Sequence, residues 1–461
     1  MATYGDFPGV RVETEQGGIQ SVSVGLAEKV VLFGQPEYKD NGSINGDASV
    51  GELVSIASPL EAETFFGESE LADGMQEALQ NGANLDFLRA VAPPRREVTG
   101  ETQGAATGTL ENTEIVEDVS TITFDDDGTS LDVEFRYTPG PSQPTGSDTV
   151  HINPLTGEYA ADAGPTTEFT VDYEHIDYEY AFNENAVLNY VNENETGVFF
   201  ALSDSDTVSS QLATVVSTLR DNYQLVSGFA LAEPNGSRVL DPAETTDTNG
   251  GAEPRYNTGT YGTDANQSVS SNSFFKPAPA RLDGSPTKTI GGGLAGLYAG
   301  NPIDDAVYNE VVQGYNNLEQ GLNKTEAGDL RDADLIPVRD GGSVRVKGNR
   351  ATNFSEAGTA AADFFTRRIT DRVILVIKQV GDAILGLINN EETRTEAENA
   401  IARELGSLAQ EGLIRDNEGD ETNYVVDVFE SSTDSNEVKV NVSFTPFGIV
   451  KKVDASVTVN V

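Results

Sequence analysis

The amino-acid sequence predicts a mixed α/β (α+β multidomain) fold, in which an α/β core is interrupted by a β-rich insertion. Residues 25–95 and 185–345 alternate short apolar runs with segments of helical periodicity, a pattern typical of strand–helix–strand units. Between them, residues 96–184 show period-two alternation around turn clusters. With 461 residues, 37% of them hydrophobic, the chain can form roughly two to four domains with real cores.

The core stretches predict buried strands that alternate with amphipathic helices. Each predicted strand is a short run rich in Val, Leu and Phe, and each predicted helix carries apolar residues three and four positions apart. Asn81 and Gly82 form a C-terminal stop for the first of these helices. The predicted strands are 30–34, 85–91, 198–202 and 225–231, and the predicted helices are 71–79 and 208–219.

The last region, residues 346–461, predicts a C-terminal domain that ends in a strand. An apolar stripe at helical spacing runs through residues 369–387, and a capping-box pattern at Thr395 to Glu398 opens a second helix that ends at Gly412. After these helices the chain alternates between apolar and polar residues again. The predicted strands are 424–429, 438–444 and 453–461.

Both ends of the chain carry alternating valines on segments too short and too polar to bury themselves. We therefore expect residues 1–24 and 438–461 to be arms that pair with, or complete, a sheet in neighbouring copies of the chain. The glycine pair Gly17 and Gly18 is the predicted hinge. The valines of the predicted arms are Val10, Val12, Val22, Val24, Val457, Val459 and Val461.

The charge of the chain excludes two classes of partner. Its 75 acidic and 29 basic residues give a net charge of −46. Nucleic acids and anionic membranes both attract cationic surfaces, so we expect neither as a partner. Self-repulsion of this size opposes compaction, but at molar salt the Debye length falls to about 3 Å and screens it. The composition therefore predicts a halophilic protein.

Few residues are available for catalysis or for binding metals. The chain has no Cys and only two His, His151 and His175, which excludes thiol chemistry, Cys-ligated metals and His-rich metal sites. The N-terminal residues show no signal-peptide pattern, and Lys378 and Asp382 interrupt the most apolar span, 373–388. We therefore expect no membrane insertion.

Two motifs partly match the sequence patterns of ligand-binding loops. Residues 291–296 (GGGLAG) match the spacing of a dinucleotide fingerprint, but the preceding segment is a poor strand, so we interpret Gly291 to Gly293 as a turn. Residues 125–128 (DDDG) lack the spacing of a calcium loop and predict a hairpin tip. We assign no catalytic, cofactor-binding or metal-binding residues and predict that the chain is not an enzyme.

Short motifs along the chain resemble the contractile tail sheath proteins of tailed viruses and related injection machines. They occur along the chain in the family's order, and the sequence departs from the family at Lys347, where the family commonly has Trp. The motifs are residues 7–13 (FPGVRVE), 65–67 (FFG), 295–299 (AGLYA), 335–338 (LIPV), 344–352 (VRVKGNRAT), 367–368 (RR), 389–390 (NN), 410–413 (QEGL) and 444–446 (FTP).

This resemblance implies a structural subunit that polymerises helically, in sixfold rings, around a viral tail tube. Its implied partners are copies of itself, the tail tube protein, and the baseplate and tail terminator proteins. The implied location is the contractile tail of a virion, assembled in the host cytoplasm, and the acidic composition points to a haloarchaeal virus. The resemblance also implies that the helix at 395–411 faces the tube. Its tube-facing residues would be Glu396, Arg403, Glu404 and Gln410.

Two other functions fit parts of the sequence. An acidic haloarchaeal surface-layer or other self-assembling protein would share the composition, but a signal peptide or membrane anchor is expected for it. A nucleotide-dependent oxidoreductase would need residues 288–320 to form a cofactor-binding strand–turn–helix. The sheath interpretation accounts for more of the chain than either alternative.

Overall fold

The computed structural model describes residues 28–232, 273–303, 307–352 and 363–447, apart from short internal gaps. The arm valines and the glycine hinge predicted above lie outside the described residues. The gaps are residues 40, 118–121, 127, 137–142, 145–147, 155, 164–167, 192–195, 223, 279–281, 283–287, 319–321, 323–326, 329, 332–333, 340–341, 418–422 and 434.

The chain divides into a larger unit, within residues 27–301 and 307–364, and a smaller unit, within residues 302–306 and 365–461. Each unit has its own hydrophobic core. Helices and several separate sheets are present, so the predicted mixed α/β fold class is confirmed.

The larger unit is built on a parallel sheet of five strands. In sheet order they are β12 (Phe274–Phe275), β11 (Leu225–Ala230), β10 (Thr196–Ala201), β1 (Glu28–Phe33) and β2 (Leu88–Val91). The helices of this unit are α1 (Glu61–Phe66), α2 (Glu70–Gln80), α3 (Tyr178–Phe182), α4 (Asn185–Leu188), α5 (Asp206–Asp221) and α6 (Gly291–Gly300).

Helices cover both faces of this sheet. Val30 and Leu32 of β1 belong to the core that includes α2 and α6, whereas Val31 and Phe33 belong to the core that includes α3 and α5. Because a parallel sheet carries apolar side chains on both faces, it needs cover on both. A small sheet lies in the same unit and consists of β13 (Pro277–Ala278), β14 (Ile336–Arg339) and β15 (Arg345–Val346).

Helices α2 and α6 approach so closely that their backbones touch. Gly292, Gly296 and Gly300 of α6 follow one another at intervals of four residues, and a Cβ on any of them would overlap a backbone oxygen of the facing segment. The predicted turn at Gly291 to Gly293 is therefore wrong, because these glycines form the first turn of a buried helix. The facing oxygens belong to Gly74, Ala78 and Gly82.

A seven-stranded sheet fills most of the chain between β2 and α3. Its neighbours are antiparallel except for the parallel pair β6 and β7, and its core contains Phe124, Tyr159 and Phe169. In sheet order the strands are β3 (Arg95–Gln103), β9 (Phe169–Ile176), β5 (Thr123–Asp126), β6 (Thr129–Phe135), β7 (Thr149–Ile152), β8 (Glu158–Ala161) and β4 (Thr107–Thr109).

The smaller unit contains two long helices and a two-stranded antiparallel sheet. Helix α7 spans Phe364–Ile384, and helix α8 spans Glu391–Gln410. The predicted start of the second helix at Thr395 is wrong, because Asn390 caps it and accepts the Thr393 N–H at 2.8 Å. Strands β16 (Tyr424–Glu430) and β17 (Val438–Phe444) complete the described part of this unit.

We predict that Gly296→Ala lowers the free energy of unfolding by about 1–3 kcal/mol, because the added methyl group forces α6 away from α2. Gly381→Ala in α7 is the matched control, since a Cβ there meets no atom within 4 Å. Removing a helical glycine should raise stability by about 0.5–1 kcal/mol at that control position. Urea denaturation at high salt measures both, and equal stability of the two variants would contradict the packing role.

Candidate assembly surface

The β16–β17 sheet rests one face on the core of the smaller unit. The even-numbered residues of β16 from Tyr424 to Val428, and those of β17 from Val438 to Phe444, pack toward the core that includes α8. Odd-numbered residues point the other way, and Asp427, Lys439 and Asn441 are accordingly exposed. Most of the core-facing valines are only half-buried, so the apolar face continues to the rim of the sheet.

Backbone hydrogen bonds show which groups of each strand point outward. The Ser431 N–H donates to the Glu437 C=O at 2.9 Å, and the Thr445 N–H donates to the Asn423 C=O at 2.8 Å. In an antiparallel pair such bonded positions alternate with positions whose N–H and C=O point away from the partner strand. The even-numbered residues of β16 and β17 therefore present their backbone groups at the two outer edges.

Among the described residues, no third strand pairs with the outer edge of β16 or of β17. In the part of the chain that the structure describes, the sheet has two strands, with Val426 paired to Val442 and Val428 to Val440. An isolated two-stranded sheet is marginally stable in water, and an edge strand is a template for another strand. The outer edges of β16 and β17 can therefore each accept an added strand.

The structure corrects one limit of the predicted C-terminal arm. Residues 438–444 form β17 and pair with β16 of their own chain. The predicted C-terminal arm is therefore shortened by the residues of β17.

The exposed face of α8 carries the residues that the resemblance singled out. Glu396, Arg403 and Gln410 follow each other at intervals of seven residues and are exposed, whereas Glu404 is half-buried. The Arg403 guanidinium lies 3.7 Å from the Glu404 carboxylate. The opposite face of α8 is buried through Ala397, Ala400, Ile401, Leu405 and Leu408.

Protein side chains fill the crevice where doubly wound sheets usually bind ligands. This crevice lies beyond the carboxyl ends of β1 and β10. These two strands are neighbours in the sheet, and the chain continues from β1 to β2 on one side and from β10 to β11 and β12 on the other. Glu114, 3% exposed and with a φ of 55°, places its carboxylate there. The carboxylate accepts hydrogen bonds from Gln35 Nε2 at 3.3 Å and from Ser203 Oγ.

A small acidic pocket lies at the N-terminal end of α6. Its lining includes Glu70, Asp73 and Glu77 of α2, together with Lys288 and Thr289. The Lys288 ammonium lies 3.0 Å from the Asp73 carboxylate, and the Thr289 hydroxyl donates to Glu70 at 3.2 Å. Burial raises the pKa of Glu77 to about 7. These carboxylates occupy the end of α6 where a dinucleotide fingerprint would hold a phosphate.

The remaining candidate residues are Asp125, His151 and His175, and each contacts other side chains or the backbone of the seven-stranded sheet. Asp125 accepts the Gly128 N–H at 2.6 Å between β5 and β6, so the predicted hairpin tip is confirmed. His151 lies 3.4 Å from the Glu134 carboxylate, and burial lowers the pKa of His175. Among the described residues, no group of three or more acidic or His side chains is arranged to hold a metal ion.

Within the same residues, no helix is both long and apolar enough to cross a membrane.

The fold of this chain is that of the sheath proteins of contractile tails and injection systems. No protein-family model and no curated protein matches the sequence. The likeness therefore comes from solved structures, which share the fold at low sequence identity.

Three of these structures illustrate the likeness. The helical sheath of the anti-feeding prophage, solved in the contracted state, is 13% identical over 98% of this chain and 99% of its own, with a TM-score of 0.56. The contracted PVC sheath of an extracellular contractile injection system is 13% identical over 99% and 98%, also with a TM-score of 0.56. A sheath tail protein from Desulfitobacterium hafniense is 14% identical over 96% and 100%, with a TM-score of 0.51.

Proposed function

We propose that this chain is a structural subunit that polymerises helically around a viral tail tube and contracts to drive the tube through the host envelope during genome delivery. The observation that carries the proposal is the β16–β17 sheet, which keeps two open edges beside a half-buried apolar face in the part of the chain that the structure describes. The sheath fold supports it, since the contracted helical sheath of the anti-feeding prophage has the same architecture.

In this proposal the terminal arms of neighbouring copies complete the sheet. Val10, Val12, Val22 and Val24 would enter from one copy and Val457, Val459 and Val461 from another, with Gly17 and Gly18 as the hinge. Each backbone hydrogen bond adds about 0.5–1.5 kcal/mol, so an arm that makes about four contributes several kcal/mol. A head-to-tail contact that does not close produces an open helical tube.

The proposed partners follow from the same function. They are copies of the chain in sixfold rings, a tail tube protein, and the baseplate and tail terminator proteins of the particle. The subunit would assemble in the host cytoplasm and end in the contractile tail of a virion. In this proposal, residues 25–95 and 185–345 are the sheath core, 96–184 a surface insertion, and 346–461 the domain that joins the copies.

The first prediction concerns the N-terminal arm. A variant that lacks residues 1–16 should keep its folded circular-dichroism spectrum but sediment as a monomer in molar salt, where the full-length chain forms tubes. Val10→Ile preserves the alternating pattern and serves as the control that still forms tubes. Tubes of ordinary length from the truncated chain would contradict the arm's role, and flat lattices from the full chain would favour a surface-layer protein.

The second prediction concerns salt and the proposed haloarchaeal virus. Because the chain carries a net charge of −46, copies packed side by side repel each other unless salt screens them. Assembly should persist in molar KCl and weaken near 0.15 M, where the Debye length is about 8 Å. Light scattering and circular dichroism across a salt series measure this dependence. Unchanged assembly and folding at about 0.05 M would argue against a halophilic origin.

The third prediction concerns the tail tube. We propose that the exposed face of α8 makes polar contacts with the tube through Glu396, Arg403, Glu404 and Gln410, because weak contacts allow release on contraction. Arg403→Glu should reduce tube-dependent assembly and leave monomer folding unchanged. Lys39→Glu, an equal charge reversal at another exposed position, is the control. Normal tail assembly by Arg403→Glu would show that this face points elsewhere.

A further inference from the structure

At the N-terminal end of β16, the side-chain amide of Asn417 forms hydrogen bonds with the backbone, as a neighbouring strand would. The Nδ2 of Asn417 donates to the Tyr424 C=O at 3.0 Å, and its Oδ1 accepts the Tyr424 N–H at 3.0 Å and the Asn423 N–H at 2.5 Å. Tyr424 is the first outward-pointing residue of β16. Its N–H is therefore already used and its C=O already accepts one hydrogen bond, so an added strand would have to compete with Asn417 for these groups.

This contact leaves a short window on the β16 edge. The remaining outward-pointing residues are Val426, Val428 and Glu430, and the Glu430 carboxylate lies 3.3 Å from the Arg394 guanidinium. Val426 and Val428 are thus the two apolar positions of the window. Asp427 lies between them and is exposed on the opposite face of the sheet.

The N-terminal arm contains the complementary pattern. Val10, Arg11 and Val12 place a cation between two valines, as Val426, Asp427 and Val428 place an anion between two valines. Residues opposite each other on neighbouring strands share a face, and opposite charges there are favourable. With valines beside valines, Arg11 lies opposite Asp427 whether the strands run parallel or antiparallel.

We infer that residues 9–13 of a neighbouring copy add to the outer edge of β16 in one register, with Arg11 opposite Asp427 and Asn417 as the stop that fixes it. This inference rests on the proposed exchange of arms. It also determines which edge accepts which arm. The β17 edge carries Lys439, Asn441 and Ser443 on the face that Arg11 would meet. It therefore suits the last residues of the C-terminal arm, 457–461, which alternate between Val and uncharged polar residues.

Other registers on β16 are less favourable. A slip of two residues toward Tyr424 would require backbone groups that Asn417 already binds. A slip of two residues the other way would place an arm valine against Glu430 and Arg11 opposite Phe429. A shift by one residue would turn both arm valines to the solvent face.

Disulfide trapping tests the register, because the chain has no native Cys. The full-length protein carrying Arg11→Cys and Asp427→Cys is assembled in molar salt, oxidised and separated on a non-reducing gel. We expect disulfide-linked oligomers from this pair, and none when Arg11→Cys is combined with Ser443→Cys on β17. Tubes in which position 11 links to position 443 or 425 instead would overturn the inference and leave the exchange of arms intact.

Variants of Asn417 test whether this side chain prevents the arm from pairing at Tyr424. With Asn417→Ala, the link from position 11 to 427 should weaken and a link to Val425→Cys should appear, because the Tyr424 backbone becomes available. Asn417→Asp keeps the acceptor but loses the donor to the Tyr424 C=O, and should show an intermediate pattern. Circular dichroism of the unassembled variants controls for folding. An unchanged pattern in folded, assembled Asn417→Ala would overturn the role of Asn417, whereas wild-type protein that forms no tubes would contradict the proposed function itself.

Discussion

Backbone N–H and C=O groups at a sheet edge need partners, and in the described part of the smaller unit no third strand supplies them at the outer edges of β16 and β17. The two strands shield one face of their core, but the valines at the rim are only half-buried. A two-stranded sheet gains stability when further strands extend it. In the proposed assembly the smaller unit therefore completes its sheet only in contact with other copies, which couples its stability to polymerisation.

In the larger unit, by contrast, the parallel sheet is covered by helices of the same chain. Helices cover both faces of its parallel sheet, and the glycines of α6 bring that helix into direct backbone contact with α2. Glu114 fills the crevice in which related sheets bind ligands, and carboxylates of α2 line the end of α6. Close packing of this kind resists deformation of the larger unit.

Local patterns in the sequence predict most of the regular elements, and the strand at residues 30–34 and the helix stop at Asn81 appear in the structure within a few residues. At the start of α6, tertiary packing against α2 overrides the low helix propensity of glycine, which no local pattern reveals. The outward-pointing groups of β16 likewise depend on its register with β17, and the contact between Asn417 and Tyr424 becomes visible only once that edge is known. An Asn in a polar loop gives no sequence signal that distinguishes it from its neighbours.

Charge and strand pairing act on the proposed assembly in different ways. Repulsion between copies of an acidic chain is long-ranged and falls as salt rises, whereas backbone hydrogen bonds and valine contacts act at short range and depend little on screening. The Arg11–Asp427 pair would be exposed at the sheet surface, where such a pair contributes little affinity. The pair would instead help to select one register of the arm on β16, because registers that lack the pair also misplace the valines. The valines and the backbone would thus hold the joint, while the charged pair and Asn417 would determine its alignment.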